Sequence, residues 1–183
     1  MAVYTITQGE KITASILNTY AMNAGLVYVT SQTIGSAVSS VAVSNCFSST
    51  YDNYRILVTG GVGSTNVQMI LQVGAAVTQY YWGFSYTLYG SGTLTTATAS
   101  NTTSFQNAGY ATTDRLFLQC DLFNPNLAKH TQISGNSWYY ASGNSIGYGG
   151  ELRDTTQHTG FTISPGSGTM TGGTITVYGY RKA

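Results

Sequence analysis

The chain has 183 residues, 42% of them hydrophobic, which suits one domain with a real core and is too little for two large ones. Only 7% are charged, yet 15 Tyr, 6 Phe and 2 Trp exclude a solvated, disordered tail. A net charge of +1 with scattered basic residues offers no field for nucleic acid, and no apolar run is long enough to insert into a membrane.

Residues 1–24 read differently from the rest. Thr13 has the chemistry of a helix N-cap, and Ile12 and Leu17 have the spacing of a hydrophobic staple. Ile16, Leu17, Tyr20 and Ala21 then recur at helical spacing, and Gly25 supplies the stop. So short a helix is marginal alone and needs a surface to pack on. No basic head followed by an apolar run marks a secretory leader.

From Gly25 onward the pattern is β. Runs of Val, Ile, Thr, Tyr and Phe alternate with Gly, Ser and Asn clusters. Strands are expected near Leu26–Thr30, Val38–Val43, Tyr54–Thr59, Val67–Val73, Tyr80–Tyr89, Arg115–Phe123, His130–Ser134, Trp138–Tyr140, Gly160–Ile163 and Thr174–Arg181. Short strands with no helical pattern between them predict an all-β fold, a jelly-roll-like β-sandwich preceded by a short N-terminal helix. The expected division is a docking segment at 1–25 and a head at 26–183. In Tyr80–Leu88 the alternate residues Tyr80, Trp82, Phe84, Tyr86 and Leu88 form an apolar face; in the last strand Ile175 and Val177 share one face, Tyr178 and Tyr180 the other. The 24 residues Gly90–Thr113, rich in Thr, Ser, Ala and Asn, read as weak strands or as an exposed loop. Tyr51 and Tyr54 are expected at the core edge with their hydroxyls in water.

From Ile56 to Thr113 there is no Lys, Arg, Asp or Glu. A lone monomer needs surface charge for solubility, so neighbouring subunits are expected to cover part of this stretch. Cys46 and Cys120 stand in strand-like apolar runs; they read as small buried hydrophobes, with a disulfide as the alternative.

Three segments carry a resemblance. Gly9-Glu10-Lys11-Ile12-Thr13-Ala14-Ser15-Ile16-Leu17-Asn18-Thr19-Tyr20, then Phe47-Ser48-Ser49-Thr50-Tyr51-Asp52-Asn53-Tyr54-Arg55-Ile56, then Gly173-Thr174-Ile175-Thr176-Val177-Tyr178-Gly179-Tyr180-Arg181 resemble, in this order, segments of small virion surface proteins of tailed bacteriophages. Such proteins are of tail-fibre, minor-tail or head-decoration type. The resemblance implies a docking segment, here through Ile12, Ile16, Leu17 and Tyr20, and a β-sandwich head, often trimeric. It implies other tail or capsid proteins as partners and a place on the virion surface after assembly in the host cytoplasm. No heptads or repeats build a fibre shaft, so a short tip or a decoration unit is expected.

Chemistry is sparse. The six carboxylates (Glu10, Asp52, Asp114, Asp121, Glu151 and Asp154) read as salt-bridge and turn residues; a glycosidase pair such as Asp121 with Glu151 is the weaker alternative. His130 and His158 lack metal spacing, no Gly-x-Ser-x-Gly elbow occurs, and Gly60-Gly61, Gly149-Gly150 and Gly172-Gly173 read as turns, not phosphate loops. No cofactor, metal or catalytic residue is therefore assigned. Aromatics near polar loops, Trp138, Tyr139, Tyr140 and Tyr148, are the candidate contacts to a host-surface glycan; otherwise these rings fill the core or a subunit interface. A carbohydrate-binding module is thus the alternative to a structural virion protein.

Overall fold

The computed structural model describes residues 9, 11, 13, 25–139 and 144–182, with the backbone alone at 137–139 and 144–146. Among these residues the chain is all-β, with no helix; the expected N-terminal helix lies outside them. Fourteen strands form: β1 Leu26–Thr33, β2 Val41–Val43, β3 Asn53–Thr59, β4 Val62–Gly63, β5 Val67–Val73, β6 Tyr80–Thr87, β7 Leu94–Thr102, β8 Phe105–Ala111, β9 Leu116–Phe123, β10 Thr131–Tyr139, β11 Asn144–Leu152, β12 Phe161–Pro165, β13 Met170–Thr171 and β14 Thr174–Tyr180.

Twelve of them join one large antiparallel sheet that branches at β9. One limb runs β9-β3-β14-β1, a second runs β9-β10-β11-β6-β7, and a third runs β9-β8-β5-β12-β2. The branch is possible because β9 uses different lengths of its backbone: Leu116–Leu118 pair with β8, while Gln119–Phe123 pair with β10 along the same edge. Gly109 permits this approach, since a Cβ there would lie 2.3 Å from the Phe117 carbonyl oxygen. β4 and β13 pair separately as a two-stranded ribbon.

Strand alternation builds the core. In β3, β9, β12 and β14 every second residue is buried. Ile56, Val58, Ile175 and Val177 of the first limb, Tyr80 and Leu152 of the second, Leu71, Val73 and Ile163 of the third, and Leu118 and Leu122 of β9 are each at most 1% exposed and lie in one cluster. Each such side chain contributes about 1.5–3 kcal/mol by leaving water. Tyr178 and Tyr180 take the opposite face, as the alternation predicts. Cys46 and Cys120 are free and buried, and burial pushes both thiols up to about 12.

Several expectations change. Tyr54 is fully buried, not an edge residue with a wet hydroxyl. Its hydroxyl accepts from the Ser48 N–H at 2.8 Å and donates to the Ser48 carbonyl at 2.9 Å, which satisfies it inside the protein. Gly149-Gly150 is strand, not turn; of the two readings of Gly90–Thr113 the strands hold, since it contains all of β7 and β8. The other two glycine pairs are turns, and they pack on each other: a Cβ on Gly61 would meet the Gly172 carbonyl, and one on Gly173 the Gly60 carbonyl. All four have φ between 69° and 88°, the left-handed region that glycine alone enters without strain.

Candidate functional site

The strands β1-β14-β3-β9-β10-β11-β6-β7 present one continuous outer face. Residues directly opposite in an antiparallel ladder point to the same side. One transverse row is therefore Tyr28, Tyr178, Arg55, Asp121, Ser134, Gly149, Gly83 and Thr98. The row on one side of it includes Phe123, Gln132, Glu151 and Tyr81. The row on the other includes Leu57, Gln119, Asn136, Gly147, Ser85 and Thr96.

The middle of this face carries its strongest polar group. Arg55 donates through Nε and Nη2 to the two carboxylate oxygens of Asp121, both at 2.8 Å, and the Tyr180 hydroxyl donates to the same carboxylate at 2.6 Å. Burial pushes the Asp121 carboxyl up, but these donors outweigh it and hold the group below its ordinary value. Burial, with the bond to Asp121, pushes the Tyr180 phenol up to about 12. Glu151, the other half of the weighed glycosidase pair, is held by Arg153 Nε.

Two of the three resemblance segments meet here. The Tyr51 ring lies on Gly179, where a Cβ would sit 2.4 Å from ring carbons. Tyr54 pairs with Gly179 and Arg55 with Tyr178. Phe47 packs on Tyr54 with ring centroids 4.7 Å apart, and Lys182 reaches Asp52 at 2.8 Å. The motif residues that look like recognition signals are thus the packing of one corner of the sheet.

Of the expected docking residues, Ile12, Ile16, Leu17 and Tyr20 lie outside the described residues, as does Tyr140. Trp138 and Tyr139 end β10, paired with Ser145 and Asn144. Tyr148 is 6% exposed and belongs to the core; its hydroxyl lies beside Cys120 and over Gly135, where a Cβ would be 2.6 Å away. Its ring therefore fills the interior, which is the other role weighed for it. Trp82, Phe84 and Tyr86 stack in a ladder with centroids 5.9 Å apart, half-buried beyond the core.

The second limb ends on β7, which among the described residues pairs only with β6. This edge reads Leu-Thr-Thr-Ala-Thr-Ala-Ser-Asn-Thr and has neither charge nor proline. Tyr89 and Leu94, in and beside the β6–β7 turn, are 68% and 65% exposed. Sequence reasoning left β7 open between weak strand and loop, and missed β11 with its outer-face glycines 147 and 149; their alternate spacing was the available signal. Among the described residues no three His, Cys, Asp or Glu side chains gather to hold a metal ion. No protein-family model matches the chain, and no curated protein does so either.

Proposed function

We propose that the chain is a non-enzymatic structural component of a tailed-phage virion. Residues 1–25 dock it on the particle, and residues 26–183 form a jelly-roll-like β-sandwich head displayed as a homotrimer. A tail-fibre or tail-tip role in host attachment is favoured over capsid decoration. The observation that carries this reading is the uncharged edge of β7, unpaired among the described residues, with its exposed Tyr89 and Leu94. Soluble monomers blunt such edges with lysine, proline or an inward charge, because bare backbone N–H and C=O groups recruit other chains. A virion subunit has the opposite need, since its neighbours complete the sheet and cover apolar surface. The sandwich reading is supported by the third limb of the sheet, whose buried residues share one cluster with those of the first two. The virion assignment rests on the three sequence segments, two of which form a single packed corner.

Deletion of residues 1–24 tests the docking role. The truncated chain is expected to keep its β circular-dichroism spectrum and its oligomeric state but to be absent from purified particles. Normal incorporation of the truncated chain overturns the docking assignment.

A further inference from the structure

We propose that the trough over Gly83 and Gly149 on the outer face is a subsite for a neutral oligosaccharide, a ligand that deepens the host-attachment reading and rests on it. The trough has a volume of about 440 Å³ and is lined by Tyr81, Gly83, Thr98, Gln132, Gly149 and Glu151 among others.

The glycines are the first argument. Glycine inside a strand costs stability, so each one calls for a reason. For Gly109, Gly135 and Gly150 the reason is packing: a Cβ would meet backbone or a ring at 2.3 to 2.6 Å. For Gly149 it is not, because a Cβ there meets only the Ile133 carbonyl oxygen, at an ordinary 3.5 Å. Gly147 is as open, with Asn136 Oδ1 3.8 Å from a Cβ, and at Gly83 only the Thr98 methyl is tight, at 3.2 Å. Gly83 and Gly149 are direct cross-strand partners. Their missing side chains lower the floor of the sheet without serving the core.

The walls are the second argument. Tyr81 stands at one end of the trough, with the Arg153 guanidinium carbon 4.0 Å from its ring centroid. Arg153 is itself tied to Glu151, which fixes both the ring and the carboxylate. A planar aromatic side chain stacks on the C–H face of a sugar ring, while the Glu151 carboxylate, the Gln132 amide and the Thr98 hydroxyl bind hydroxyls. The trough crosses four strands, about 15 Å at the usual strand spacing, which accommodates a di- or trisaccharide. Arg153, which stacks on Tyr81, is already paired with Glu151, so a neutral ligand fits better than an acidic one. The floor strands β6 and β11, which carry Gly83 and Gly149, are paired on both edges, so recognition over them proceeds through side chains and not by strand addition.

The test uses the full chain on an array of defined neutral and acidic oligosaccharides, followed by calorimetric titration of the best binder. Binding of a neutral oligosaccharide is expected, weakened at least tenfold by Tyr81→Ala and by Gly149→Val. A β-branched residue suits an outward strand position, so Gly149→Val should fill the trough and keep the fold. If Gly149→Val melts early, Thr98→Trp, at an exposed position of β7, blocks the same wall. Failure to bind any oligosaccharide, binding untouched by these changes, or preference for acidic sugars overturns the proposal. Loss through Trp138→Ala with Tyr81→Ala silent also overturns it, by moving the site. Particle incorporation of the wild-type chain is read in parallel: normal incorporation with no sugar binding by that chain sinks this proposal and leaves the virion reading standing, whereas an excluded wild-type chain sinks that reading itself.

Discussion

His158 shows how a single residue can set a chemical response in a sheet protein with so few charges. It is 5% exposed, its ring packs on Gly74, and its Nε2 has no hydrogen-bond partner. Burial drives its pKa below the ordinary 6.5; Asp154, 3.6 Å from Nε2, opposes this only in part. The unfolded chain therefore takes up a proton that the folded chain refuses. Stability conferred by the neutral ring is complete above the unfolded value and is lost as pH falls through the depressed folded value. The wild-type melting temperature is expected to drop between pH 7 and pH 5, and His158→Gln is expected to flatten that limb while lowering stability at pH 7. A wild-type drop that survives the substitution would place the response elsewhere. Other single positions act sterically. Gly135 and Gly179 surrender their side-chain space to Tyr148 and Tyr51, so two tyrosines supply apolar volume that the opposing strand lacks.

At the level of the element, β7 bears most directly on assembly. Its residues alternate between exposed and half-buried, and its outward positions are Leu94, Thr96, Thr98 and Ser100. Lysine at an edge is a standard defence against pairing with another chain. Thr96→Lys, which keeps a strand-compatible position exposed, is expected to shift sedimentation toward monomer while leaving the melting temperature within about a few degrees of wild type. An unchanged oligomer would show that the contact runs through another surface. β7 is also where sequence reading stopped short. Its Thr, Ser and Ala residues carry no large apolar side chain because an edge strand beyond the core needs none, so no hydrophobic alternation announced it. β8 hides for a related reason: Gly109 faces β9 so closely that a larger residue would not fit. β10 reads as two strands because Gly135 and Asn136 interrupt the apolar pattern, and Tyr148 from β11 fills the gap. β11 itself, with Gly147, Gly149 and Gly150, looks like turn and is strand. By contrast β3, β5, β9 and β14 alternate large apolar and polar residues and were legible outright. The trough was not legible, because it is made by residues absent from its floor and drawn from four strands.

For the molecule as a whole, the pairings join distant parts of the chain. β14 lies between β1 and β3, and β12 lies between β2 and β5. No early portion of the sequence can close its own core, which implies slow, cooperative folding set by long-range contacts. β14 is the decisive case. It inserts Ile175 and Val177, both fully buried, and its backbone pairs on both edges. Losing those two side chains forfeits about 3–6 kcal/mol of burial alone, before the ladders on either side are counted, against a total stability of about 5–15 kcal/mol for a typical domain. A chain ending at residue 173 is therefore expected to lack a cooperative thermal transition and fixed near-ultraviolet dichroism. Removal of residues 181–183 alone should cost little, because the Lys182–Asp52 pair it breaks is 44% and 41% exposed and solvent-screened. Cooperative melting of the 173-residue chain would mean that the other limbs hold a core without β14, and that the C-terminal strand is an addition to the fold and not its keystone.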